Sequence, residues 1–126
     1  SYGVAHKPGD DWAETRHAFS QALPRAHLEF FKNLRLQVTL GDYLFVHAGV
    51  RPYVPLEAQT QPDLLWIREA FLDSDANFGR VIVHGHTPGH DPVIRSNRIG
   101  IDTGAYFSGM LTAVMLEGRE VRILST

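Results

Sequence analysis

Three features of the sequence predict an α/β fold. Two apolar, β-branched runs, Leu44-Phe45-Val46 and Val81-Ile82-Val83, stop abruptly at histidine and glycine. Buried strands of a parallel sheet behave this way when they deliver side chains to their carboxyl ends, where open α/β sheets place their sites. Stretches 11–34 and 62–72 instead carry apolar residues at helical spacing. The chain closes on a hairpin pattern, Met110 to Leu116 and Glu120 to Leu124 around Glu117-Gly118-Arg119, with glycine free to take positive φ.

Each element follows in order. Asp10-Asp11 and then Glu14 place carboxylates in the first turn of a helix, where the helix dipole favours them, and Trp12, Phe19, Ala22 and Leu23 form its apolar stripe. Pro24 ends or kinks that helix and opens a second one running to Leu34. Leu36 to Leu40 alternates with period two, Gly41-Asp42 turns, and Tyr43 to His47 returns as a strand. Pro52, Pro55 and Pro62 punctuate a loop over 49–63, and Pro62-Asp63 opens one helix that continues through Leu64, Leu65, Ile67, Arg68, Ala70 and Phe71 to Leu72. Val81 to His84, Pro92 to Arg95 and Ile99 to Ile101 are expected as strands. No repeat or composition shift marks a linker, so residues 1–126 are expected to form one cooperative unit.

Composition removes several functional classes. With 12 basic and 14 acidic residues the net charge of -2 offers no nucleic-acid surface, and no apolar run approaches the ~20 residues of a membrane span. The absence of cysteine rules out disulfides, thiolate zinc sites and cysteine nucleophiles, and no Gly-x-Ser-x-Gly elbow marks a serine hydrolase. The opening Ser1-Tyr2-Gly3-Val4, without Met or an apolar leader, suggests a truncated amino terminus.

The chemistry resides in histidines at strand ends. Histidine is the commonest metal ligand, and His47 sits before the small pair Ala48-Gly49, which leaves room for an imidazole. In His84-Gly85-His86-Thr87-Pro88 the two rings would share a strand face unless Gly85 turns the chain. His86, at the expected exposed tip, is then the first ligand candidate, ahead of His84 and His90. Two histidines do not complete a hydrolytic metal site. Asp102 and Asp91 are the available oxygen donors near strand ends, and Asp102 reads more readily as the cap of the turn that Gly104 allows. Arg68 is either a solvated helix-face charge or, for a phosphorylated substrate, the first candidate to grip it bidentately. Tyr106, Phe107 and Tyr53 are candidates for a pocket mouth or simple packing.

Four ordered motifs carry a family resemblance: Phe45-Val46-His47-Ala48-Gly49, Leu65-Trp66-Ile67-Arg68, Val83-His84-Gly85-His86-Thr87-Pro88 and Asn97-Arg98-Ile99-Gly100-Ile101-Asp102-Thr103-Gly104-Ala105. From about Tyr43 onward the chain resembles the carboxyl-terminal half of the calcineurin-like metallophosphoesterases. More narrowly, it resembles the bacterial serine/threonine phosphatase-like branch of the phosphoprotein phosphatases. The resemblance implies the C-terminal half of a four-layer α/β/β/α sandwich, a single partial domain. It implies a hydrolase that splits phosphomonoesters by attack of a hydroxide held between two divalent metals, manganese first, with iron or zinc as alternatives; a cytoplasmic location is expected. His47 and His86 match metal ligands, Arg68 matches a phosphate-binding arginine and Asp102 falls in a mainly structural motif. Tyr106 is expected at the substrate.

The same resemblance implies a phosphoprotein or small phosphoester substrate, with neither nucleic acid nor membrane as partner. The family's Asp-x-His, second Asp and Asn-His-Glu motifs do not occur here, so an N-terminal half of the same domain is expected to supply them, and this segment is expected to be inactive alone. Dinucleoside polyphosphate hydrolysis is the alternative activity, because related branches share the His-Ala-Gly and Gly-His elements. A non-catalytic, partner-binding module is the alternative of another class.

Overall fold

A computed structural model describes residues 2–9 and 11–126. These group into two compact units, the first ending at Arg35 and the second spanning Leu36–Thr126. The first unit holds two helices, α1 (Trp12–Ala22) and α2 (Arg25–Lys32). Asp10 of the expected helix start lies outside the described residues. Asp11 takes extended backbone angles and its carboxylate accepts the Ala13 N–H at 2.8 Å, satisfying one of the donors a helix start leaves free. Pro24 stands at the N-cap of α2 with φ -57°, so the proline that stops one helix begins the next. Among the described residues of both helices none is buried.

The second unit contains the core. Its five-stranded sheet runs in the order β1 (Gln37–Leu40), β2 (Tyr43–Val46), β3 (Val81–His84), β5 (Arg98–Gly100) and β4 (Val93–Ile94). The three central strands, β2, β3 and β5, are parallel, while β1 and β4 flank them antiparallel. This is a mixed α/β architecture, as the alternation of apolar strands and helical stripes predicts. A separate antiparallel pair, β6 (Thr112–Glu117) and β7 (Glu120–Ser125), forms the expected closing hairpin, with Gly118 at φ +58° in its turn.

Register places opposite faces of the sheet in different environments. Leu44 pairs with Ile82, and both enter a cluster with Ala48, Val50, Leu64, Ile67 and Phe71. Phe45 pairs with Val83 and points the other way, because side chains alternate along a strand. The core packs tightly at the end of β2, where a Cβ on Gly49 would lie 2.3 Å from a carbon of the fully buried Phe71 ring. Glycine here makes room for an aromatic.

The structure corrects the single helix expected over 62–72. It forms α3 (Gln61–Trp66) and α4 (Glu69–Leu72), interrupted where Ile67 turns extended at ψ 144° and Arg68 adopts φ -132°, ψ -106°. The break lets Ile67 bury in the core while Arg68 stays exposed and turns toward Thr87. Tertiary burial overrides a pattern that locally favours continuous helix. The proline-rich loop before α3 contains a 3₁₀ turn over Leu56–Ala58, and α5 (Ala105–Ser108) follows a left-handed Gly104 at φ 65°. Neither short element is expected from the sequence.

Candidate metal and phosphate site

All three parallel strands release their chains at one edge of the sheet. His47 follows β2, Gly85-His86 follows β3, and Ile101-Asp102 follows β5. The ladder continues past the strand ends, since Gly85 N–H donates to His47 O at 2.9 Å and Ile101 N–H to His84 O at 3.0 Å. Backbone bonding therefore fixes the relative positions of residues 47, 85 and 101.

His47 and His86 converge. His47 Nε2 lies 3.0 Å from His86 Nδ1, with ring centroids 4.8 Å apart. Nitrogens bound to one ion at ~2.0–2.1 Å are separated by about 2.8–3.4 Å when the ligand angle runs from a right angle to tetrahedral. The observed separation falls in that range. His86 Nε2 is buried and has no hydrogen-bond partner, so the ring's polar capacity is not met by the protein. Burial first, then the neighbouring Arg68 guanidinium, hold His86 below the usual histidine pKa. It is consequently neutral near pH 7, the form that binds metal. These features fit a metal ligand pair, although no group of three or more His, Cys, Asp or Glu donors occurs among the described residues.

The turn that separates the two neighbouring histidines differs from expectation. It is made at His86, which has φ 67°, with Thr87 N–H closing a three-residue turn onto Gly85 O at 2.8 Å. Positive φ in such a turn is strained for a side-chain-bearing residue, and strain of this kind gathers at functional sites. His84 is thereby left behind in the sheet, buried edge-to-face against Phe71 and next to Arg98. Burial lowers its pKa in the first place. His84 is a neutral core histidine.

Arg68 donates to Thr87 Oγ1 at 3.0 Å and to His86 O at 3.4 Å, which brings an exposed guanidinium to the His86 turn. Thr87 is a site residue that sequence reasoning misses, its only signal being its position directly after His86. Trp66 is missed too: its indole meets the His86 ring edge-on at 5.6 Å and stays 70 % exposed. Phe45, Val83, Gly85 and Asp102 join the two histidines around an open cavity of about 390 Å³. Asp102 Oδ1 accepts the Gly104 N–H at 2.9 Å, the turn-capping role anticipated for it.

The other sequence candidates lie elsewhere. His90 is exposed and paired with Asp91 at 2.9 Å, a contact that raises its pKa through the hydrogen bond first and charge second. Tyr106 is 89 % exposed on α5, edge-on to Phe107 at 4.7 Å, and no described contact joins either ring to the histidine pair. Tyr53, at φ 63°, projects from a loop that Gln59 closes with bonds to the Arg51 N–H and O and to Val54 O.

No protein-family model matches the sequence. Among curated proteins the chain is similar to the asymmetrical bis(5'-nucleosyl)-tetraphosphatase PrpE of Anoxybacillus flavithermus. The two are 26% identical over 124 residues, covering 82% of this chain and 49% of that protein. The chain thus spans about half the length of the curated relative it matches. This similarity agrees with the broad phosphoesterase resemblance carried by the motifs. It does not single out the serine/threonine phosphatase branch.

Proposed function

We propose that this chain carries part of the active site of a metal-dependent phosphoester and phosphoanhydride hydrolase, with dinucleoside polyphosphates as the favoured substrates. The observation that carries the reading is the meeting of His47 Nε2 and His86 Nδ1 at 3.0 Å beside an exposed guanidinium, Arg68. The similarity to a tetraphosphatase supports a polyphosphate substrate, whereas the protein-phosphatase reading has the motifs alone behind it.

His47 and His86 hold a divalent ion in this reading, manganese in first place. Further donors, and the ligands of any second ion, would come from another part of the complete protein. Such ions supply an activated water and neutralise phosphoryl oxygens. The chain's own residues position the reactants. Arg68 presents a planar fork to phosphoryl oxygens, held in place by Thr87 Oγ1, and the backbone bond between Gly85 and His47 keeps both imidazoles at their spacing. Neutral His86 binds cation without first losing a proton.

The test uses the longest polypeptide encoded by the gene, assayed with Mn²⁺ on diadenosine tetraphosphate, p-nitrophenyl phosphate and a phosphoserine peptide. His47→Ala and His86→Ala are each expected to weaken Mn²⁺ binding in calorimetry and lower kcat/KM at least ~100-fold, more than the ~10–100-fold typical of outer-shell substitutions. Arg68→Ala is expected to cost ~10²–10³-fold in kcat, as loss of a donor to developing charge does elsewhere. Undiminished hydrolysis by His86→Ala contradicts the reading, and preference for the phosphopeptide reverses the order of substrates.

A further inference from the structure

We infer that Trp66 is a stacking platform for the base of a nucleotide whose phosphates lie at Arg68 and the histidine pair. The inference rests on the phosphoanhydride reading and adds how the nucleoside is held. Trp66 is the last residue of α3, two positions before the guanidinium, and three observations set it apart from a packing aromatic.

The indole is 70 % exposed, whereas aromatic rings that hold a core together are covered, as Phe71 is at 0 %. Its sole described ring contact is with His86, nearly perpendicular at 86°, so one edge of the aromatic pair is fixed while most of the indole surface remains open. Its backbone is anchored by the next two residues, since Ile67 is buried in the core and Arg68 is bonded to the His86 turn. A large, rigid, amphipathic ring is therefore held at the site with most of its surface uncovered by the described residues.

Stacking on an indole is available to every nucleobase, because each has a π-face, and it needs no base-specific hydrogen bond. A residue and its second neighbour in extended chain lie within about 7 Å, a span matching that from a base to its own phosphate chain. The interruption at Ile67–Arg68 brings this about. In a continuous helix positions 66 and 68 point to different sides, whereas here Trp66 meets the His86 ring and Arg68 reaches His86 O and Thr87. Together they present an aromatic surface and a fixed cation around one residue, His86, which suits a ligand with a flat ring at one end and phosphates at the other.

The test compares adenosine 5'-tetraphosphate with inorganic tripolyphosphate, both with Mg²⁺, titrated into the full-length protein by calorimetry and by indole fluorescence in a Trp12→Phe background that leaves Trp66 as this chain's reporter. The nucleotide is expected to quench Trp66 and to bind more tightly than tripolyphosphate. Trp66→Ala is expected to lower the ratio of nucleotide to tripolyphosphate affinity roughly tenfold or more, and Trp66→Phe to restore most of it. Circular dichroism of both variants guards against misfolding. A ratio within twofold of the parent in Trp66→Ala, or no fluorescence response to bound nucleotide, overturns the stacking role. If tripolyphosphate binds in an Arg68-dependent way but the nucleotide gains nothing, the platform alone fails. If neither ligand binds, the phosphoanhydride reading fails and the platform with it.

Discussion

The two units of the chain are stabilised by different physics. In the first, Trp12–Ala22 and Arg25–Lys32 bury no described residue, and their organisation is visible in the Asp11 cap on the Ala13 N–H and in an exposed hydrogen bond between Tyr2 Oη and His27 Nδ1. In the second, all nine buried hydrophobic side chains fall between Leu44 and Ile99, and both imidazoles at the candidate site stand on that framework. Capping sets where a helix starts, whereas packing sets where a strand-end histidine points. A change in one unit should therefore read out differently from a change in the other.

The largest expected effect is in the core. Phe71→Ala removes the fully buried ring beside Gly49 and His84, and it should destabilise the second unit by ~3–5 kcal/mol in chemical denaturation. A cost below ~1 kcal/mol means the core is not organised around this ring. An intermediate effect is expected in acid. The Arg51 guanidinium, and then the Thr60 hydroxyl, hydrogen-bond the buried Asp63 carboxylate and hold its pKa below the ordinary range. A carboxylate with a depressed folded pKa contributes stability above its unfolded value of ~3.9, and that contribution is lost as pH falls through the folded value. The stability difference between the parent and Asp63→Asn should accordingly be constant from neutral pH to about 5 and shrink below about 4. A difference that grows on acidification refutes this assignment. The smallest effect belongs to the helices: Asp11→Ala should cost about 1 kcal/mol of α1, seen as lost helical signal, and leave denaturation of the second unit unmoved. An equal loss in both units would erase the contrast between them.

Much of the sheet was legible in the sequence because its signals are local and redundant. Leu44 to Val46 and Val81 to Val83 are apolar runs stopped by histidine, and the observed strands end at Val46 and His84, within a residue of the expected stops. The closing hairpin also follows its alternation and Gly118. The helix break at Ile67–Arg68 was not legible, because Leu64, Ile67 and Phe71 keep perfect helical spacing and only the shape of the core shows that Ile67 gains by leaving it. The turn beside the site was misplaced by one residue for a related reason. Glycine is the natural place to expect positive φ, yet His86 adopts it and Gly85 remains in the ladder through its bond to His47 O. The convergence of His47 and His86 was anticipated from strand ends, while the part played by Trp66 required knowing which side of a broken helix it occupies.

The Gln59 side chain has a wider consequence for how the chain tolerates change. Its amide bridges Arg51 and Val54 across the base of the loop that leaves His47, so the intervening residues, including Tyr53, form a cassette whose two ends are already joined. Changes at Tyr53, which is 92 % exposed, are therefore expected to leave that closure and the imidazole at its threshold in place, whereas Leu56, packed on the core, ties the far side of the loop to the fold.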